Sequence, residues 1–452
     1  MCIRDSGNTY WTNRIMSLLD LPELQSLHRP EQMIRLSAQQ DIPLTARLRR
    51  LIDTSAFQRL RHLRQLGLVQ LVYPSATHTR FEHSLGVYHL ALRYISRLSN
   101  NDAFNNSVTT GDLEAFLIAA LLHDVGHWPF CHPIEDMELV ETVHHETLST
   151  QLLADHELRT AITKDWSCDV EQVIRILNGK TENVAEEILN SLISGPIDID
   201  KMDYLPRDST NCGVPYGNHF DQDRLISSLT ISSENSRLAI SEKGRTAAEL
   251  MVFSRYVMFS EVYWHRTVRS ATAMFQRLFF SSRNQLPLDS LHHLSDDAFI
   301  KALTDLDTSE MNLAAMLFGE TRQLYKCVLE FDHQTQPELH SQIAHSTYSR
   351  CSQLTELLHK SLSSNSSLPR DAIILDAPPA KLEVQFDVNV ISKDGRTVAL
   401  SELSPVVNTL ATEQFDKYVK KVRLFIHPDY VNVVPAPQDI YALLTTAAEM
   451  QA

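Results

Sequence analysis

Apolar residues recur at helical spacing over most of residues 20–360. Phe57, Leu60, Leu63 and Leu66 repeat every three positions, which predicts a helix with Gly67 as its C-cap. From Ser84 to Leu98, Val87, Leu90, Ala91, Tyr94, Ile95 and Leu98 fall on one helical face. Glu114 to Leu122 is almost wholly apolar, which predicts a helix buried on all sides, ended by Gly126 and Pro129. Residues 181–194 and 246–283 carry the same periodicity. Strands do not alternate with helices, so a Rossmann or barrel architecture is not expected.

The pattern changes near the C-terminus. Leu382, Val384, Phe386 and Val388 alternate with Glu383, Gln385 and Asp387, which predicts a strand. Val422–Ile426 and Tyr430–Val434 predict two more. The expected fold is therefore mainly α, with a small C-terminal α+β element. The expected segments are an N-terminal piece (1–45), a helical core (46–283), a helical extension (284–360), a Ser-rich linker (361–372) and the α+β element (373–452).

Composition narrows the class. The chain has 452 residues, 43% hydrophobic and 21% charged, enough for a large core and too apolar for disorder. The longest apolar run, Ala115–Leu122, is far short of the roughly 20 residues of a membrane span. The first residues hold no continuous apolar stretch of a secretory signal. Six cysteines without CxxC spacing indicate neither a zinc ribbon nor a disulfide framework. A cytoplasmic location is expected. The net charge of −15 disfavours generic nucleic-acid binding, so an anionic substrate calls for a metal or a local basic patch.

Histidine is the compositional oddity. Eight of the 20 histidines lie between His78 and His145. Among them, His123-Asp124 ends the most apolar helix of the chain. A buried carboxylate is costly unless it is paired or bound to a metal. His83 lies upstream at a helix start and Asp200 downstream in Asp198-Ile199-Asp200-Lys201-Met202-Asp203-Tyr204. Two imidazoles and two carboxylates suit Mn, Fe or Mg more than structural zinc. A divalent metal with open positions makes hydroxide available near neutral pH.

The order His…His-Asp…Asp resembles that of the HD-domain metal-dependent phosphohydrolases. Longer strings are similar to the SAM-and-HD-domain dNTP triphosphohydrolases and the bacterial dGTPase-like HD proteins. They are Phe57-Gln58-Arg59-Leu60-Arg61, Gln65-Leu66-Gly67, His78 to Val87, His123 to His132, His145-Glu146 and Asp198 to Asp208. The resemblance covers about residues 50–270, and no SAM domain is expected in the 50 residues before it.

The resemblance implies an HD-domain helical fold with His83, His123, Asp124 and Asp200 as metal ligands. The implied reaction is hydrolysis of a dNTP at the α-phosphorus, giving deoxynucleoside and tripolyphosphate. Arg80, His127, His132 and His145 would surround the α-phosphate, with His132 as general acid. Lys201 would hold the later phosphates. Tyr204 would exclude a 2′-hydroxyl, with Asp208 and Gln65 near the 3′-hydroxyl. His265, Arg266 and Arg269 match a region that touches phosphates and base in relatives.

Two departures stand out. Where relatives place an Asp three residues after the second histidine of this run, His132 is followed by Glu135. Residues Ser37–Pro43 lack the Asp-Pro-Ile-His-Gly string found near the activator site of tetrameric relatives, although Asp53, Gln58 and Arg61 match guanine-reading positions there. An activating nucleotide and a homo-oligomer, dimer or tetramer, are the implied partners. Three alternatives stay open. One is an HD phosphohydrolase of another nucleotide or phosphoester, and another is a non-catalytic nucleotide sensor. The third is a nucleic-acid binder using the basic run Arg47, Arg49, Arg50, Arg59, Arg61 and Arg64.

Overall fold

The helix Thr110–Leu122 is the axis of the core. Thr109 caps it, in a reciprocal capping box with Asp112. Every residue from Leu113 to Leu122 is buried. It packs between the helices Arg80–Leu98 and Val170–Asn178. The computed structural model describes residues 18–28, 31–37, 40–232, 234, 236–363, 367–378, 388–410 and 419–450. With 62% helix and 9% strand the protein is mainly α, as expected. No helix among the described residues is long and apolar enough to cross a membrane.

Glu114 is the one charged side chain on the axial helix's buried stretch, and Arg47 answers it at 2.6 Å. Arg47 also pairs with buried Glu23 and lies over the Trp166 ring, so residues before 46 are joined to the core. The rest of the basic run is engaged as well. Arg49 reaches Gln32, Arg50 Asp165, Arg59 two carbonyls, Arg61 the Phe81 ring and Arg64 Asp296.

Among the described residues, nine strands form three small sheets. Strands β1 (Met33–Leu36) and β2 (Gln40–Pro43) make an antiparallel hairpin. The second sheet runs β3 (Leu229–Ile231), β4 (Leu238–Ser241), β7 (Asn389–Ile391), β8 (Thr397–Ala399), with β4 and β7 parallel. The third runs β5 (Lys326–Phe331), β9 (Val422–Ile426), β6 (Ile373–Asp376), antiparallel throughout.

Several expectations change. The predicted helix over Phe57–Leu66 is one turn, Ser55–Gln58, followed by a 3-10 turn, Arg59–His62. A repeat of three is the 3-10 period, not the α period. Gly67, at φ +49°, opens a second 3-10 segment rather than capping a helix. Tyr430–Val434 is not a strand: Pro428–Tyr430 is a 3-10 turn and a further turn follows. Pro428, Pro435 and Pro437 flank this stretch and lack ladder donors. Residues 379–387, most of the predicted strand at 382–388, lie outside the described residues, and β7 begins just beyond Val388. Strand β5 lies within the expected helical extension but pairs with β9, and β7 joins the core sheet through β4. Both pairings cross the expected segment boundaries. The Ser-rich stretch begins inside the helix Tyr348–Ser363, and Leu362 and Leu368, both within it, share one apolar cluster.

Candidate active site

Three chain segments bring the acid and imidazole groups together. His83 lies in the first turn of Arg80–Leu98, His123-Asp124 at the end of the axial helix, and Asp200 in the first turn of Ile199–Cys212. Asp198 caps this last helix by accepting from Lys201 N at 2.8 Å, which fixes where Asp200 enters.

The nitrogens have assigned duties. His83 Nδ1 donates to Asp203 Oδ2 at 2.9 Å, and His123 Nδ1 donates to the Ala120 carbonyl at 3.0 Å. The two Nε2 atoms face each other at 3.2 Å. Asp200 Oδ1 lies 3.0 Å from His83 Nε2, and Asp124 Oδ1 lies 3.4 Å from His123 Nε2. These side chains turn ring nitrogens and carboxylate oxygens toward one another, an arrangement that a proton on His83 or a metal cation satisfies. Burial alone would lower His83, but Asp200, Asp203 and Asp124 outweigh it and hold its pKa at about 10, so without metal its Nε2 carries a proton toward Asp200 that a bound metal would displace. A mixed N/O set with no thiol fits a divalent ion such as Mn, Fe or Mg. The ligand atoms of His83, His123 and Asp124 lie within 4.8 Å of one another, close enough for one ion.

The supports of these residues were not assigned from sequence. Asp203 is held by Arg207 through two bonds of 2.7 and 2.8 Å. Gly86 makes room for the pair: a Cβ there would stand 2.0 Å from Asp203 Oδ1. Arg59 donates to the carbonyls of Val125 and His127 at 2.7 Å each and so shapes the turn after Asp124. Burial lowers Arg59 to about 10. Gly126 lets this turn touch the helix His145–Ala154, where a Cβ would meet the His145 carbonyl at 2.2 Å.

Arg80, His127, His132, His145 and Glu135 lie beside this centre. Buried Arg80 donates to Asp124 Oδ2 at 2.7 Å. Histidines 127 and 132 approach at 3.3 Å between Nε2 atoms. Glu135 accepts from His145 Nδ1 at 2.9 Å and from its backbone N at 2.7 Å, and stands 3.8 Å from His132 Nδ1. The glutamate thus supports His145 more directly than His132, because its extra methylene carries the carboxylate past the nearer ring. Burial, then the Arg80 guanidinium and the neighbouring His145 ring, push His132 down to about 3. With 57% of its side chain exposed, the Arg80 charge is the cause that survives.

Two cavities, of about 530 and 300 Å³, share Gln65, Arg80, His132, Asp200 and Tyr204 as walls. The smaller holds the His/Asp centre; the larger extends past Tyr204, Asp208, Tyr263 and Arg269. Gln65 Oε1 is buried without a hydrogen-bond partner among the described residues. Lys201 lines the larger cavity, with Nζ on Asp198 at 2.5 Å and on the Gly195 carbonyl. Asp208 accepts from His78 at 2.8 Å and from the Tyr263 hydroxyl at 2.6 Å. Arg269 lines the cavity, pairs with Asp376 at 2.5 Å and lies over Trp264. His265 caps the helix Arg266–Ser282, and Arg266 lines a different cavity. The guanine-reading candidates are not gathered. Only Asp53 lines the 910 Å³ cavity near Thr45; Gln58 donates to the Ile52 carbonyl and Arg61 covers Phe81.

Residues 80–208 match the family model of the HD domain, and residues 220–444 that of the HD associated region. With the helical core and the His…His-Asp…Asp centre, these matches make the chain a member of the HD-domain phosphohydrolase family. It is 33% identical over 306 residues to an uncharacterized protein of Methanocaldococcus jannaschii, covering 67% of this chain and 60% of that one. A Dictyostelium discoideum protein named deoxynucleoside triphosphate triphosphohydrolase SAMHD1 homolog is 36% identical over 173 residues, 36% of this chain and 33% of that one. The crystal structure of a hypothetical protein from Aquifex aeolicus matches with TM-score 0.71 and 29% identity, covering 91% of this chain and 99% of that chain. The chain spans 51–60% of the length of three curated relatives it matches.

Proposed function

We propose that the protein hydrolyses deoxynucleoside triphosphates, dGTP or dNTPs in general, at the α-phosphorus, to deoxynucleoside and tripolyphosphate. One observation carries the reading: a His/Asp centre able to hold a cation opens, past Arg80 and three histidines, into a cavity of nucleoside size. The name printed for the Dictyostelium relative supports the same chemistry.

His83, His123, Asp124 and Asp200 would hold the divalent metal, Mn, Fe or Mg. When bound, it polarises a phosphoryl oxygen and supplies hydroxide near neutral pH. Arg80 neutralises charge on the α-phosphate from a buried position, where its attraction is least screened. His127 and His145 orient the same group, with Glu135 fixing the His145 ring. Incoming phosphate charge raises the proton affinity of His132, which then protonates the departing 5′ oxygen. Lys201 exchanges Asp198 for the later phosphates. Asp208, with lone pairs beyond those given to His78 and Tyr263, accepts from the 3′-hydroxyl, and Gln65 bonds the same end of the sugar. The Tyr204 ring fills the space of a 2′-hydroxyl.

The test is incubation with Mn²⁺, Mg²⁺ or, anaerobically, Fe²⁺ and each dNTP, singly and mixed, with Asp124→Ala as control. Tripolyphosphate and deoxynucleoside, absent with the variant, are the expected products. Mixtures report activation of one hydrolysis by another nucleotide, and size-exclusion with and without nucleotide reports the oligomer. No cleavage of any dNTP with any of the metals would overturn the reading in favour of another phosphoester.

A further inference from the structure

Beside the His/Asp centre lies a second convergence that the family resemblance does not assign. His127, Cys131, His132 and His145 each offer one ligand atom, and these four atoms lie within 4.8 Å of one another. The local chain explains the geometry. Phe130 adopts a left-handed backbone (φ 53°) and starts the short helix Cys131–Glu135, so Cys131 and His132 are presented together. His127 comes from the Arg59-clamped turn and His145 from the start of His145–Ala154.

The donors are oriented as in a metal site. His145 gives its Nδ1 hydrogen to Glu135, and His127 Nδ1 donates to the Asp124 carbonyl at 3.3 Å. Each ring keeps its other nitrogen for a ligand, with a carboxylate behind His145 and a backbone carbonyl behind His127 fixing tautomer and orientation. His127 Nε2 and His132 Nε2 already face each other at 3.3 Å. Buried Cys131 supplies a sulfur, which the His/Asp centre lacks. Three imidazoles and a thiolate form the donor set of a tetrahedral, zinc-class ion.

We propose that His127, Cys131, His132 and His145 form a second metal site, selective for zinc-class ions, adjacent to the His83–Asp200 centre. The ion enters past the exposed ring of His132, and Cys131 Sγ releases its proton to solvent as the metal–sulfur bond forms. Without metal, burial holds the Cys131 thiol up at about 12, so it does not react as a free thiolate. On the hydrolytic reading, on which this consequence alone rests, zinc occupies the imidazoles meant for phosphate and turns hydrolysis down.

Co²⁺ titration of metal-free protein tests the site without any substrate. The His/Asp centre contains no sulfur, so only the second site gives a thiolate-to-cobalt charge-transfer band in the near ultraviolet. The expected result is two Co²⁺ per chain, one of them with that band. Cys131→Ser is expected to abolish the band and keep the other equivalent. His132→Ala, at an exposed ring and so a small risk to folding, is expected to shift the band's midpoint at least about tenfold. Saturation without a thiolate band, or a band that persists in folded Cys131→Ser, overturns the proposal. Neither outcome bears on dNTP hydrolysis, so the two readings fail separately.

Discussion

Asp203 accepts from His83 Nδ1 at 2.9 Å across 120 residues of chain, and it is the contact that turns the other ring nitrogen toward Asp200. A carboxylate behind a ligating imidazole fixes its tautomer and raises its basicity. Asp203→Asn keeps the shape and removes the charge. Mn²⁺ affinity by calorimetry is expected to fall roughly 10–100-fold, with little change in secondary structure. Unchanged affinity would mean that Asp203 only anchors Arg207.

Gly86→Ala tests how tightly that support is packed. The added Cβ would stand 2.0 Å from Asp203 Oδ1 and 2.3 Å from Arg207 Nη2. Both groups are buried and bonded to each other, so neither yields easily. A loss of about 1–3 kcal/mol is expected, read from the denaturant midpoint. The Mn²⁺ affinity should drop with it, since the alanine displaces the group that orients His83.

Arg59 is a positioning residue for the whole turn. Its replacement by methionine leaves the carbonyls of Val125 and His127 buried and unpaired. Each lost partner costs about 1–3 kcal/mol. Arg59→Lys can serve only one carbonyl well and should recover part of the stability. If methionine and wild type unfold together, the clamp is not needed.

Acid should weaken the metal-free protein in a defined window. Burial acts to raise Asp203, but Arg207 and His83 outweigh it and hold its pKa at about 2; Glu135, held mainly by His145 against its own burial, also lies at about 2. Unfolded carboxyls titrate near about 4. Below that pH the unfolded chain binds protons that the folded one refuses. The stabilisation is therefore complete above about pH 4 and is lost as pH falls through about 2. Denaturant midpoints from pH 5 to 2 should fall steeply for wild type and less steeply for Asp203→Asn.

Asp376 on β6 pairs with Arg269, which lines the larger cavity, with both side chains buried. Asp376→Ala leaves a buried guanidinium without its carboxylate, and a loss of about 3–5 kcal/mol is expected, visible as a lower Tm. On the hydrolytic reading KM should rise more than kcat falls, because the residue shapes the cavity wall and not the reacting end. An unchanged Tm would detach the C-terminal sheet from the cavity.

Legibility followed the kind of information each feature carries. The axial helix was readable because full burial forces an unbroken apolar run. His83, His123, Asp124 and Asp200 stood out through their order and neighbouring strings; the structure gathers His83, His123 and Asp124 and sets Asp200 against His83. Asp203, Arg207 and Arg59 escaped notice as supports. A charged residue in a sequence looks the same whether it meets water or a partner more than 60 residues away, as Arg59 does. The Tyr430–Val434 run misled because its apolar residues pattern as a strand while flanking prolines deny the ladder. Strand β5 was missed because its partner β9 is remote, and no local period announces that pairing.

The order β5-β9-β6 places the last-made strand in the middle of its sheet. Until Val422–Ile426 leaves the ribosome, β5 and β6 have no strand to pair with. Asp200, the final acid of the His/Asp centre, emerges 226 residues before Ile426, roughly 10–45 s earlier at ordinary synthesis rates. A nascent chain can therefore load its ion while Arg269 still waits for Asp376. The chain order thus allows metal capture and closure of the cavity wall to be separate events, with the ion-binding half made first.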